Sequence, residues 1–262
     1  MTRITTVTNQ KGGVGKTTTA LALATGLTYR GYNVLVVDTD PQGNISYSMA
    51  ADINGKGLYE GMKEEATAKE LIQHTNQGHI LPSTLLLTAA DLEFVQTGRE
   101  QHVRNLLEQI KENYSHIIID TPPTLGILTI NALTASDDVI IPMGTDIYSM
   151  HGLTQLCTNI NRVRRYCNPS IRIAGLLMTR YNKRPTLNRE IKESIEEKAA
   201  ELNTIVYKTI IREGITIKEA QTQQLNLFDY APKSNPAIDY MDFITEYIEQ
   251  EHEQEKQERR QK

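Results

Sequence analysis

Asn9-Gln10-Lys11-Gly12-Gly13-Val14-Gly15-Lys16-Thr17-Thr18-Thr19 is the stretch from which the rest of the chain can be read. It follows a short apolar run, Ile4 to Val7, and leads into Ala20-Leu21-Ala22-Leu23-Ala24, so a glycine-rich turn joins a strand to an apolar-faced helix. Glycines let backbone N–H groups curl around phosphate oxygens, and the helix N-terminus adds the positive end of its dipole. In that setting Gly12, Gly13, Val14, Gly15 and Thr18 form the cradle, Lys16 reaches the β- and γ-phosphates, and the Thr17 hydroxyl ligates Mg²⁺. The head of the loop carries Lys11 instead of an opening glycine, so two lysines flank it. A cation at Lys11 is badly placed for its own phosphates but within reach of those of a facing subunit, where it offsets charge that develops in phosphoryl transfer.

Two further strand patterns end in carboxylates. After a helix stop at Gly31, Asn33-Val34-Leu35-Val36-Val37-Asp38 reads as a buried parallel strand, followed by Asp40. His116-Ile117-Ile118-Ile119-Asp120 repeats the pattern, and Pro122-Pro123 stops it with a stiff segment suited to a switch. Ligands sit at the carboxyl ends of strands in open parallel sheets, which places these acids beside the glycine-rich loop. Hydrolysis of a triphosphate needs an acceptor near an in-line water, and the strand that leads to Asp38 and Asp40 brings carboxylates there, while Asp120 holds Mg²⁺ and accepts from the Thr17 hydroxyl. Asp138 to Pro142 and Ile171 to Thr179 add core strands around a helix of about Met150 to Arg165. This βαβ alternation specifies an α/β fold: a mostly parallel twisted sheet with helices on both faces. Ile80-Leu81 and Leu85-Leu86-Leu87 suggest a short strand pair or a strand entering that sheet, and residues 46–78 form a polar connection with short helical patches.

Lys11 to Thr18, Val36 to Asn44 and Ile117 to Pro123 together resemble the ParA/MinD superfamily of deviant-Walker ATPases, most of all the short, Soj-like ParA-type partition proteins. The likeness continues through Leu125-Gly126, Asn131-Ala132-Leu133 and Ile141-Pro142, and weakens after about Tyr181. It implies a P-loop NTPase fold, ATP and Mg²⁺ as ligands, an ATP-dependent homodimer, and a catalytic set of Lys11, Lys16 and Asp40. It implies too that Asp38 organises the nucleotide-dependent loop and that Asn182 lies beside the adenine. In such proteins scattered cations of the C-terminal third contact DNA phosphates without reading sequence, and here that part carries Lys183, Arg184, Arg189, Lys208, Arg212, Lys218 and Lys233. The remaining implied partner is a centromere-binding, ParB-like adaptor that stimulates hydrolysis. Ile210-Ile211-Arg212-Glu213 departs from the Pro-Arg-Asn sequence common at this point in relatives, which puts the contacts made there in question.

The 262 residues are read as one ATPase domain over 1–250 and a charged tail over 251–262, frayed or disordered. Ile238, Met241, Ile244, Tyr247 and Ile248 recur at helical spacing and pack a last helix on the core. Gln250 to Lys262 contains no apolar residue, so the alternative of a MinD-like positioning ATPase on a membrane or a protein cargo lacks its membrane-inserting helix. With no run of transmembrane length and no leader pattern, the expectation is a cytoplasmic, nucleoid-associated protein without membrane contact. No segment ahead of the first strand suggests a helix-turn-helix extension. Cys157 and Cys167 are too few and too far apart from His for a zinc site or disulfide framework, and neither follows an apolar strand as an iron–sulfur ligand would. A net charge of −4 makes any nucleic-acid surface regional.

Overall fold

The computed structural model describes residues 2–144, 147–181 and 185–261; of the side chains at 147–151, 185–192 and 258–261 nothing is said. Apolar, β-branched segments build an eight-stranded sheet among these residues: β1 Arg3–Val7, β2 Val34–Asp38, β3 Gln73–Thr75, β4 Gly78–Leu81, β5 His116–Asp120, β6 Asp138–Gly144, β7 Arg172–Tyr181 and β8 Val206–Arg212. Their order is β3-β4-β2-β5-β1-β6-β7-β8, with every pair parallel except β3 and β4. The helices in chain order are α1 Lys16–Tyr29, α2 Asn44–Ser48, α3 Leu58–Met62, α4 Ala68–Leu71, α5 Ala90–Glu93, α6 His102–Glu108, α7 Ile127–Ala135, α8 Ile147–Tyr166, α9 Pro185–Glu201, α10 Ile215–Thr222, α11 Leu227–Tyr230 and α12 Asn235–Gln261.

Alternation along the central strands divides the core. Val36 and Ile118 face a cluster built with α1 and α12, while Leu35, Val37, Ile117 and Ile119 face the opposite cluster with α3, α6 and α7. A third cluster packs α8 and α9 on β6 and β7, and the buried Cys157 belongs to it. The strand pattern that reads as continuously apolar is thus a strand covered on both sides. Helix α1 is buried along nearly its whole length, wedged between the sheet and α12. It can be so because Gly26 has no side chain: a Cβ there would overlap the Ile244 Cδ1 of α12 and press on Phe228.

Three sequence expectations change. Leu85-Leu86-Leu87 does not enter the sheet; residues Leu85–Ala89 form a 3₁₀ turn that buries only Leu87 and leaves Leu85 and Leu86 exposed. A run of three leucines carries no period, so it could not distinguish a strand from a turn. In the last helix Ile238 is exposed, and Tyr240 and Phe243 join Ile244 and Tyr247 in the core. The boundary expected at 250 falls inside a helix, since α12 continues to Gln261. Its polar residues grip the lower edge of the sheet: Arg3 Nε donates to Glu251 at 3.3 Å, His116 Nε2 meets Glu251 at 3.0 Å, and Arg172 donates to Gln254 at 2.9 Å. A search for apolar periodicity does not register a helix anchored by such pairs. No helix among the described residues is long and apolar enough to cross a membrane.

Candidate active site

The carboxyl ends of β1, β2 and β5 converge where the sheet changes winding direction, which is where open α/β sheets hold their ligands. Asp38 and Asp120 are register partners on adjacent strands, and Val7, the last residue before the glycine-rich loop, flanks Asp120 on its other side. The order of strands in the sheet therefore brings the loop and the carboxylates together.

The loop is held at several points. Asn9 is buried, donates to the Pro142 carbonyl at 2.7 Å, and accepts the Lys11 N–H at 3.0 Å. Thr179, near the end of β7, donates to the Val14 carbonyl at 2.7 Å. Gly13 and Gly15 have φ of 74° and 84°, left-handed values that only glycine adopts freely, and Gly15 caps α1. Lys16 is buried, with Nζ donating to the Lys11 carbonyl at 3.2 Å. Burial pushes its ammonium pKa down, and Asp120 and Asp40 oppose that by stabilising the charge.

Asp38 and Asp120 differ in what they do. Asp38 accepts the Asp40 N–H at 3.0 Å, the Ser46 N–H at 3.1 Å and the Ser46 hydroxyl at 2.6 Å. Ser46 Oγ in turn accepts the Ser83 N–H at 3.0 Å, so Asp38 ties together the turn after β2, the start of α2 and the segment after β4. Complete burial lifts the Asp38 pKa to about 7 against those hydrogen bonds. Its acceptors are engaged inside the protein, which makes it the organiser of the loop that carries Asp40. Asp120 is as deeply buried, but both its carboxylate oxygens lack a hydrogen bond of ordinary geometry. Burial first, and then the neighbouring Asp38, push its pKa well up; the nearby Thr17 hydroxyl and Lys16 pull it down only in part. A buried carboxylate left this way is costly unless a cation joins it. The oxygen-only donor set of Asp120 and Thr17 fits the hard cation Mg²⁺.

Asp40 sits in a tight turn, accepting the Gln42 N–H at 2.9 Å on Oδ1 while its carbonyl accepts the Gly43 N–H at 2.9 Å. It lines a cleft of about 790 Å³ together with Gly12, Gly13, Gly15, Lys16 and Thr17. A cleft of that volume is the size of a small-molecule site. Lys11 is half-buried and is not part of this wall.

Of the cations read from the sequence, Lys208, Lys218 and Lys233 are exposed, on β8, on α10 and after α11. Lys183 and Arg184 lie outside the described residues, as does Asn182, and the Arg189 side chain on α9 is likewise not described. Arg212 departs from the expected role of a surface cation. Its Nε and Nη2 donate to both oxygens of the buried Asp239, with contacts of 2.6 to 3.1 Å, and it lines the cleft. Two residues that no motif marked lie in the same wall: Arg180 donates to the Gly13 carbonyl at 2.8 Å and pairs with Glu213 at 3.0 Å. Arg180 has a left-handed φ of 53°, unusual for a residue other than glycine. The one signal that could have nominated it is its place at the carboxyl end of a parallel strand.

Comparison with known proteins gives a consistent outcome. Residues 2–173 match a family model described as an AAA domain. The chain is 39% identical to the sporulation initiation inhibitor protein Soj of Bacillus subtilis over 252 residues, 94% of this chain and 98% of Soj. It is 34% identical to the chromosome partitioning protein ParA of Caulobacter vibrioides, covering 95% of each. Among solved structures it superposes with a TM-score of 0.79, at 31% identity over 94% of this chain and 93% of the other, on cobyrinic acid a,c-diamide synthase from Mycobacterium smegmatis with bound ATP analog and magnesium.

Proposed function

Because the chain belongs to the ParA/Soj family of AAA-domain proteins, we propose that it is an ATP-hydrolysing partition protein that pairs on binding ATP and acts on DNA. The observation that carries the ATPase reading is the buried Asp120 carboxylate, without a hydrogen bond of ordinary geometry, beside Lys16 and Thr17 at the mouth of a glycine-rich loop. In this reading Lys16 and the backbone N–H groups of residues 12–18 hold the phosphates. Mg²⁺, held by Thr17 and Asp120, supplies neutralisation of the charge on the β- and γ-phosphates when bound. Asp40, fixed by its turn and by Asp38, orients the attacking water and accepts its proton. Lys11, outside its own cleft wall, serves the nucleotide of the facing subunit.

The paired subunits bind duplex DNA without sequence preference through cations of the C-terminal third, Lys183, Arg184, Arg189, Lys208, Lys218 and Lys233. A centromere-binding adaptor of the ParB type then stimulates hydrolysis and release. The chromosome-partitioning name of the ParA relative and the exposure of Lys208, Lys218 and Lys233 support this part. The test is binding of purified protein to random duplex DNA with ATP and Mg²⁺ at low salt. Binding should require ATP, fall steeply with added salt and vanish in Lys16→Ala; protein that ignores DNA under those conditions would rule the reading out.

A further inference from the structure

Strand β5 stops at Asp120, residues 121–126 run past the cleft with Pro123 in its wall, and Ile127 opens α7. The near end of this connection is fixed. The Asp120 carbonyl accepts the Thr39 N–H at 3.0 Å and the Thr39 hydroxyl at 2.6 Å, and the Thr121 hydroxyl donates to the Val7 carbonyl at 3.0 Å. Pro122 and Pro123 have no N–H, so neither can be tied down by backbone donation. The far end is seated by the start of α7, and that helix brings no cap of its own: its N-cap is Gly126, and its first turn holds no acidic residue.

The cap comes from α5, 36 positions upstream, where Asp91 Oδ1 accepts the Ile127 N–H at 2.7 Å. Gly126 makes room for it, since a Cβ there would stand 2.6 and 2.7 Å from the two Asp91 carboxylate oxygens. A carboxylate in this place also meets the positive end of the helix dipole. Asp91 is exposed, so replacing it opens no cavity and strands no buried charge. The body of α7 is held separately: Asn131 accepts the Val103 N–H at 3.1 Å and donates to the Arg99 carbonyl at 2.8 Å. Removing the cap therefore frees the first turn of α7 and the connection before it, and leaves the rest of the helix in place.

We propose that Asp91 is a positioning residue for ATP hydrolysis: by capping α7 from α5 it sets where residues 121–126 lie against the γ-phosphate end of the cleft. This rests on the reading of the cleft as an ATPase site. Asp91 acts through the connection and touches none of the reacting atoms. The glycine-rich loop, which supplies the grip on the nucleotide, makes no part of this linkage, so the effect falls on turnover and spares binding.

Steady-state hydrolysis of ATP by the purified full chain with Mg²⁺ tests it. Asp91→Ala should lower kcat by about 10-fold and leave KM for ATP within about 2-fold of wild type. Asp91→Asn keeps an oxygen acceptor for the Ile127 N–H and should return most of the turnover. Gly126→Ala drives a Cβ into the carboxylate and should lower kcat in the same way. With Asp91→Ala in the same chain the colliding oxygens are gone, so the double variant should be no slower than Asp91→Ala alone.

The proposal is overturned if Asp91→Ala turns over ATP at the wild-type rate, or if KM rises in step with the fall in kcat. It is also overturned if Asp91→Asn is as slow as Asp91→Ala, or if the losses of the two single variants multiply in the double variant. Those results leave the ATPase site standing, because wild type still hydrolyses. A wild-type chain that hydrolyses no ATP removes the reaction and the role of Asp91 together.

Discussion

Asp120 is costly to bury: it is a carboxylate with no exposed surface, no hydrogen bond of ordinary geometry, and Asp38 as its register partner. In metal-free protein both acids hold protons in the folded state that the unfolded chain has already released, Asp38 with a pKa of about 7 against an ordinary 3.8. The folded state binds more protons in that window, so stability falls as pH rises from about 4 through about 7. In chelator, Asp120→Asn should therefore be more stable than wild type at about pH 8, and should lose the advantage below about pH 4. Urea denaturation at several pH values measures this, and an unchanged pH profile in the variant would contradict it. With Mg²⁺ and ATP added the order should reverse, because wild type gains ligand stabilisation that the variant lacks. At Asp40 the expectation is kinetic. Asp40→Ala should keep ATP binding while turnover drops by about 100-fold or more, and normal turnover would remove Asp40 from the water-positioning role.

At the scale of elements, α1 and α12 decide how firmly the loop is seated. Helix α1 begins at the loop itself, and α12 lies across it at Gly26. Gly26→Ala should destabilise by about 1–3 kcal/mol through overpacking, in spite of alanine's better helix propensity. Ile244→Val, which removes the methyl group that a Cβ at 26 meets, should recover part of the loss in the double variant, measured as a shift of the urea midpoint. Additive losses would mean that the two sites do not touch. The far end of α12 acts on the opposite rim of the sheet. Ending the chain after Gln250 removes Glu251, which pairs with Arg3 beside Asp138 and meets the buried His116, and should lower stability by about 1–3 kcal/mol in thermal melts while leaving ATP affinity intact.

At the scale of the whole molecule, one open sheet places every phosphate-facing motif at the same end and leaves the chain's last helix behind it. That arrangement leaves the cleft at one end of the sheet. If two subunits close over two nucleotides, Lys11→Ala should abolish ATP-dependent pairing, read by light scattering after gel filtration, with the single subunit's ATP affinity unchanged. Full pairing in that variant would refute the role in trans.

The glycine-rich loop, the strands ending in Asp38 and Asp120 and the βαβ alternation were legible in the chain because each is a local pattern whose spacing follows from backbone geometry. The division of labour between the two acids was not, since it turns on Ser46, itself held by the Ser83 N–H, occupying one carboxylate while the other has no hydrogen bond of ordinary geometry. Arg212 and Asp239 lie 27 positions apart, and Arg180 and Glu213 lie 33 apart, with no fixed motif between them. Only the folding of β7, β8 and α12 into one wall made these residues part of the cleft, because a sequence records which charges exist and the tertiary structure decides which of them meet.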